Sequence, residues 1–199
     1  MRDPEPLIPK YGGYRKLKSY RMAQLVHDVT ALFCERFVDE ESRTWERMMQ
    51  AAQSGAQKIA EGSQAGEESK KAELKLTNIA RASLDELRLL YVGFLRQQQL
   101  PLWPPEDPRR TDLVARRPRT LADVEQWAEW AQQNAPSTPS ILSTTSIGTS
   151  ETLGNGALTL IAMAFSLLDR QLSAQTRIVQ HEARIAEQLR RRRLAEWPE

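Results

Sequence analysis

Apolar residues recur every three or four positions along most of the chain, a spacing typical of amphipathic helices rather than strands. The pattern is clearest over residues 44–99, where it predicts two long helices separated by a polar turn at residues 61–66. In each helix the apolar positions fall on one side, so the two are predicted to pack antiparallel as half of a helix bundle. The two stripes are Trp45, Met48, Met49, Ala52, Ala56 and Ile59, and Leu76, Ile79, Ala80, Ser83, Leu84, Leu87, Leu90, Tyr91, Phe94 and Leu95.

The same spacing predicts a first helix over residues 14–37 and a last helix that begins at Glu151 or Thr152 and ends near Arg193. The first half of the last helix is apolar nearly all round. We therefore expect it to be buried on more than one side by the rest of the bundle, by another subunit, or by both. Beyond Leu172 the helix is polar and is expected to project, with a thin apolar seam of Ile178, Val179, Ile185 and Leu189.

Prolines and polar residues interrupt the helical pattern in three places. Residues 1–13 contain three prolines and two glycines and are expected to form an irregular arm. A proline-rich connector follows residue 99, and within it residues 121–134 are predicted to form a short helix with Thr120 and Asp123 as a capping box. Residues 136–150 are rich in serine and threonine and are expected to form a flexible loop.

Together these elements predict an all-α fold: an up-down antiparallel four-helix bundle with an extra short helix and a long C-terminal helix. Residues 14–99 would supply three helices, residues 100–150 the connector, and residues 151–199 the completing helix with a basic tail. The small residues around Gly55 predict close packing against another helix or subunit. Gly62 is expected to supply a left-handed cap at the end of the second helix.

Composition places the chain among ordinary soluble proteins, because it is 40% apolar and 27% charged over 199 residues. Cys34 is the only cysteine, which excludes an intrachain disulfide, fits a cytoplasmic location and is expected to fill the core. The N-terminal residues lack the apolar run of a signal peptide. The most apolar segment, residues 157–168, is shorter than the about 20 residues of a membrane span, so we expect a buried helix and no membrane partner.

No set of residues predicts catalysis, a metal site or a cofactor. His27 and His181 are far apart and lack partners at ligand spacing. The serines have no visible His/Asp constellation, and the glycines do not form a phosphate-binding loop. Glu61 is the best single functional candidate, but we expect its carboxylate to have the structural role of bonding a neighbouring helix. The sequence therefore predicts a protein that is not an enzyme.

Basic residues are the main candidates for a binding surface. One group would lie along the third helix, namely Lys70, Lys71, Lys75, Arg81 and Arg88, and a second closes the last helix, namely Arg184, Arg190, Arg191, Arg192 and Arg193. Such cations suit phosphates of RNA or DNA. They are also compatible with a simple solvated face, because acids interrupt the first group and arginines favour a helix C-terminus.

Residues 54–62, Ser-Gly-Ala-Gln-Lys-Ile-Ala-Glu-Gly, and residues 79–87 resemble the four-helix-bundle family of the 23S rRNA intervening-sequence proteins. Residues 155–157 and 167–171 are similar to the longer subgroup with a "four helix bundle suffix" region. Lys58 stands where the family usually has asparagine, and residues 182–185 continue as helix where the subgroup has a glycine-rich turn. The family-motif residues are Ile59, Ala60, Glu61, Gly62, Ser83, Leu84, Glu86 and Leu87.

The resemblance implies an up-down bundle that assembles as a ring-like homopentamer without known catalytic activity. A related branch is the accessory protein of diversity-generating retroelements, which binds nucleic acid and a reverse transcriptase. The leading hypothesis is thus a cytoplasmic scaffold or accessory factor associated with RNA or DNA. The alternative is a protein–protein adaptor that uses the loop, the connector or the projecting tail. A more distant third hypothesis is a small enzyme with a site at a subunit interface.

Overall fold

The helices of this protein follow the apolar pattern closely. The computed structural model describes residues 13–134 and 145–196, with the side chains of residues 145–147 and 193–196 outside that description. The predicted arm before residue 13, most of the serine- and threonine-rich loop, and the last three residues also lie outside it. Within the described residues the fold is all-α, without strands. A short 3-10 helix, Gly13–Lys16, precedes α1 (Lys18–Phe37), α2 (Arg43–Ala65), α3 (Lys70–Gln97), α4 (Pro108–Arg116), α5 (Leu121–Gln133) and α6 (Thr145–Glu196).

Four long helices surround the core, because α1 packs on α2, α2 on α3, α3 on α6, and α6 back on α1. Side-chain pairs show that α2 and α3 run antiparallel. Arg47 near the start of α2 bonds Glu86. Further along α2, Gly62 lies against Leu76, which is ten residues earlier in α3. Across the core, the Phe33 ring of α1 packs edge-on against Tyr91 and Phe94 of α3.

The core is filled by side chains from every helix, and Cys34 is among them as predicted. It is fully buried, and burial raises the pKa of its thiol to about 11. Tyr91 is also fully buried, with its hydroxyl donating to Thr30 Oγ1 at 3.1 Å. The largest fully buried side chains are Trp127, Tyr91, Phe33, Met48, Ile59, Leu84, Leu87, Leu95, Leu113, Leu153, Leu160 and Ile161.

The end of α2 differs from the prediction. The helix continues through Ala65, and its cap residue Gly66 has φ −66°, so the expected left-handed cap at Gly62 is wrong. Gly62 is buried inside the helix, where a Cβ atom would lie 3.2 Å from Leu76 Cβ and 3.4 Å from a backbone oxygen of α3. The glycine therefore serves close approach of α3 rather than helix termination.

The close packing expected around Gly55 occurs within the chain. A Cβ at Gly55 would lie 2.6 Å from Leu84 Cδ2, and at the neighbouring positions the hydroxyls of Ser54 and Ser83 are 2.9 Å apart. Ser83 also donates to the Ile79 carbonyl at 3.1 Å. The small residues in α2 thus allow α3 of the same chain to pack closely against it.

The connector contains a helix that the sequence pattern did not predict. This is α4, in which Asp107 caps the N-terminus by accepting from the Arg109 backbone and Pro108 occupies the first turn. The short helix α5 and its capping box at Thr120 and Asp123 are confirmed. Both short helices pack on α6.

The last helix is longer than predicted, because α6 begins at Thr145, within the segment expected to be a loop. Its first half contacts α1 and α3 as well as α4 and α5. Helices of the same chain therefore cover this apolar half on several sides.

One segment of α6, Gly148–Arg192, is apolar enough by length and composition to cross a membrane. Its most apolar window has a mean hydropathy of 1.3, and 61% of that window is buried inside the protein. A core helix of a soluble protein passes the same test, so this feature is weak evidence for a membrane span.

Candidate nucleic-acid interface

The basic residues of α3 do not form one surface. At about 100° per residue, Lys70, Arg81 and Arg88 lie within about 20° of one another around the helix. Lys71 and Lys75 lie roughly 100° to 140° further round on the same geometry. The structure thus divides the five candidates into two groups with different surroundings.

The first α3 group is paired with acids. Lys70 Nζ lies 3.1 Å from Glu73, and Arg88 Nε lies 2.8 Å from Asp85. Arg81 reaches across to α6, where its Nε donates to Asp169 Oδ1 at 2.7 Å and its guanidinium stacks on Phe165 at 4.9 Å. The hydrogen bond from Arg81 to Asp169 raises the pKa of the guanidinium. These three cations hold neighbouring side chains and offer little uncompensated charge.

The second α3 group consists of Lys71 and Lys75, which are both exposed. Neither lysine has an acidic partner within the described part of the chain. Two lysines on one helix face are a small charge for binding a polyanion, because each phosphate contact contributes separately.

The second half of α6 carries the larger basic surface. We call residues 176–193 the α6 tail. The last buried residue before the tail is Gln175, which is 4% exposed and donates from Nε2 to Glu73 Oε1 at 2.9 Å. Beyond that point nearly every described side chain is exposed, so the helix leaves the other helices there.

Arginines dominate the α6 tail, with six arginines against two glutamates, an excess of four positive charges. The whole chain has a formal net charge of +2, so the remaining residues sum to −2. All of the net positive charge therefore resides in the tail. Arg190 and Arg191 share one acid, Glu187, at 3.5 and 2.9 Å. Arg177, Arg184 and Arg192 have no acidic partner among the described residues.

The family-motif residues serve packing between α2 and α3. Ile59, Gly62, Leu84 and Leu87 are buried, and Ala60 is half-buried. Ser83 bonds Ser54, and Glu86 pairs with Arg47 at 2.8 Å. Their positions assign them a structural role.

Glu61 differs from its expected role, because it bonds residues of its own helix. It accepts from Lys58 Nζ at 2.6 Å and from Gln57 Nε2 at 2.7 Å. The hydrogen bond from Lys58 lowers the pKa of this carboxyl. The expectation of a bond to a neighbouring helix is therefore wrong, and Lys58 is the partner of the motif carboxylate.

Sequence reasoning missed a buried polar group, the Arg109 cluster, formed by Trp103, Asp107, Arg109, Glu151 and Asn155. Arg109 donates hydrogen bonds from Nε and Nη2 to the Asp107 carboxylate at 3.0 and 2.8 Å, and its guanidinium stacks on the Trp103 ring at 3.6 Å. The hydrogen bond from Arg109 holds the pKa of Asp107 below its ordinary value. The Trp103 indole donates to Glu151 at 2.7 Å.

Asn155 completes the Arg109 cluster from inside α6. Its Oδ1 accepts from the Trp103 backbone at 2.9 Å, and its Nδ2 donates to the Pro101 carbonyl at 3.0 Å. Gly156 gives room to Trp127 of α5, whose Cζ3 would be 2.5 Å from an added Cβ. The cluster fastens the connector to α6, and the Asp107-Pro108 pair is the sequence signal that could have located it.

Among the residues that the structure describes, no three His, Cys, Asp or Glu side chains come together as a set of metal ligands. Comparisons with models of protein families, with curated proteins and with solved structures find no match to this chain.

Proposed function

We propose that this protein is a non-enzymatic, homo-oligomeric helical scaffold or accessory factor that binds nucleic acid, RNA or DNA. The observation that carries the proposal is the α6 tail, which concentrates the net positive charge of the chain on a helix that leaves the core. Phosphate backbones are the polyanions that such clustered arginines suit.

The architecture proposed for the scaffold is an up-down antiparallel four-helix bundle formed by α1, α2, α3 and α6. Antiparallel pairs support it, since Arg81 of α3 bonds Asp169 and the earlier Glu73 bonds the later Gln175. The helix α6 also packs on α1, where Ser19 near the start of α1 donates a hydrogen bond to Gln171 at 2.6 Å. The helices α4 and α5 would then be additions outside the bundle.

The resemblance supports a homopentamer, a cytoplasmic location and a reverse transcriptase as a protein partner. Exposed aliphatic side chains outside the tail, such as Leu89 at 56% exposure, offer surface for contact between copies. Light scattering should give a mass close to five times the 22.7 kDa of one chain. A mass of one chain at micromolar concentration would contradict the oligomer.

A salt series tests nucleic-acid binding. Fluorescence anisotropy with short RNA and DNA oligonucleotides, between about 50 and 200 mM salt, should show affinity falling steeply as salt rises. The triple variant R177Q/R184Q/R192Q removes the tail arginines that have no acidic partner among the described residues, and it should reduce the slope of log affinity against log salt by about 3.

The matched control is K70Q/R81Q/R88Q, which removes the same charge from residues already paired with acids. We expect this control to change the slope by less than about 1. Absence of binding at the lowest salt would overturn the proposal. It would favour the adaptor alternative, for which the exposed Ile178, Ile185 and Leu189 are the specific surface.

A further inference from the structure

We infer that the α6 tail binds B-form duplex DNA by lying in its major groove. This inference rests on the proposed function and narrows it from nucleic acid in general to one form. It follows from the freedom of the tail, from the directions of its cations, and from the residue types it lacks.

From residue 180 to residue 192 the side chains of the tail are exposed on every side of the helix, apart from the half-buried Glu187. From residue 176 to residue 192 it extends about 26 Å beyond the last buried contact, at about 1.5 Å per residue. Ile178, Ile185 and Leu189 are 44%, 44% and 53% exposed, and the side chains of Arg190 and Arg191 are 74% and 77% exposed. A whole helix, rather than one helix face, is thus available to a partner.

The cations of the tail point in several directions around the helix. Arg177, Arg184 and Arg191 are seven residues apart and form one line at intervals of about 10.5 Å. Arg190, Arg191 and Arg192 are consecutive, so they fan out over about 200°. A flat anionic surface, such as a membrane, would contact only one side of this helix. A groove with phosphates along both walls would instead contact the arginines on several sides of the helix at once.

The dimensions of the nucleic acids then distinguish B-form DNA from RNA. The B-form major groove is about 12 Å wide and admits an α-helix, whose diameter with side chains is about 10–12 Å. The major groove of A-form RNA is deep and too narrow for this mode of binding.

Single strands fit the tail less well, because their bases are held mainly by stacking on aromatic side chains. The α6 tail, residues 176–193, contains no phenylalanine, tyrosine or tryptophan, and the next aromatic residue along the chain is Trp197. The exposed aliphatics have a partner in the duplex, since the thymine methyl group faces the major groove and accepts apolar contact. Both features favour a duplex over a single strand.

The test compares four probes of one sequence and length: duplex DNA, single-stranded DNA, duplex RNA and single-stranded RNA. Anisotropy at fixed salt should show duplex DNA bound at least about 10-fold more tightly than the other three. A salt series with duplex DNA should give a slope near −4 to −5. A duplex whose cytosines carry a bulky glucosyl-hydroxymethyl group in the major groove should bind at least about 10-fold more weakly. Netropsin, which occupies the minor groove, should leave binding unchanged.

Variants of the full chain assign the effect to the tail. R177Q/R184Q/R191Q should weaken duplex binding at least about 10-fold, and R177K/R184K/R191K, which keeps the charges, should restore most of it. All three arginines are exposed, so circular dichroism should show both variants folded. K70Q/R81Q/R88Q serves again as the charge-matched control and should bind as the unaltered chain does.

Equal binding of all four probes, a preference for RNA, or duplex binding that survives R177Q/R184Q/R191Q would overturn the inference while leaving nucleic-acid binding in place. Tail-dependent binding to vesicles with an anionic lipid, without binding to duplex DNA, would overturn it in favour of a membrane surface. Failure of all four probes at low salt would overturn the proposed function as well.

Discussion

At the scale of single residues, two glycines in long helices have opposite surroundings. An added Cβ at Gly156 would meet the Trp127 ring at 2.5 and 3.0 Å, whereas one at Gly93 would meet nothing within 4 Å. Glycine lowers helix stability by about 1 kcal/mol relative to alanine at either site. Only Gly156 has a packing reason that offsets this cost.

Gly156→Ala is therefore expected to lower the free energy of unfolding by about 1–3 kcal/mol, because Trp127 is fully buried and must shift. Gly93→Ala, the matched control, should raise it by about 0.5–1 kcal/mol. Urea denaturation followed by circular dichroism measures both. An increase for Gly156→Ala would contradict the contact with Trp127.

Asp107 gives a prediction on pH at the same scale. Because Arg109 holds the pKa of Asp107 below the ordinary 3.8, the folded state binds this proton less readily than the unfolded chain. The resulting stability is present above pH 3.8 and is lost as the pH falls through the lower folded value. In denaturation series below pH 5, the unaltered chain should lose stability more steeply than Asp107→Asn. Parallel curves would exclude this contribution.

At the scale of elements, the Arg109 cluster holds the connector in place against α6. It joins α4 and the segment around Trp103 to α6, and Arg109 and Asp107 have side chains only 10% and 9% exposed. Removing one partner of a buried ion pair leaves the other charge buried and unpaired. The connector is thus fastened by polar contacts as well as by Leu113 and Trp127 in the core.

Arg109→Ala should destabilise the protein by about 3–5 kcal/mol and release α4 before the long helices unfold. Hydrogen exchange should show lost protection in Pro108–Arg116 while α2 and α3 remain protected. Arg119→Ala, at an exposed position of the same connector, should change stability by less than about 0.5 kcal/mol. Uniform loss of protection across all helices would show that α4 does not open separately.

The sequence predicted the elements with strong apolar periodicity and misjudged those that depend on neighbours. The helices α1, α3 and α5 lie close to their expected bounds because their stripes are long or well capped. The helix α4 was missed because its nine residues include three arginines and few apolar positions. The role of Gly62 was predicted wrongly because the sequence does not distinguish a glycine that allows a neighbouring helix to pack closely from a glycine that ends a helix. Only the position of α3 in the structure separates the two roles.

The candidate site was predictable to a similar extent. The arginines of the α6 tail stand out in the sequence, and those whose side chains the structure describes, Arg177, Arg184, Arg190, Arg191 and Arg192, are exposed. The separation of Lys70, Arg81 and Arg88 from Lys71 and Lys75 follows from about 100° per helical residue and could be predicted from the sequence. Asp169, which pairs with Arg81, comes from α6 and is 88 residues away along the chain. Charge on one helix therefore says little about its net effect on the surface.

At the scale of the whole molecule, charge and shape are divided between two parts. Residues outside the α6 tail carry a net charge of −2, and the tail carries +4 on a helix that extends past the others. Since few tail side chains are buried, stability should reside almost entirely in the other part.

Deleting residues 181–199 should therefore lower the melting temperature by less than about 2 °C. The maximum dimension from X-ray scattering should shorten by about 24 Å per chain, the length of 16 helical residues. Differential scanning calorimetry and scattering on the full and shortened chains measure these effects. A fall of more than about 5 °C would show that the tail packs against the core.

The continuity of α6 has a mechanical consequence. Between Ala157 and Glu196 there is no proline or glycine at which a helix commonly kinks. The direction in which the line of arginines points is therefore fixed by how the first half of α6 packs in the core. A partner bound to the outer end of α6 is coupled in the same way to the packing of the inner end. Two alanines inserted after Gln180 would swing the outer arginines by about 200°, whereas seven would return them to within about 20° of their original bearing. The outer arginines therefore keep a fixed orientation about the axis of α6 relative to the core.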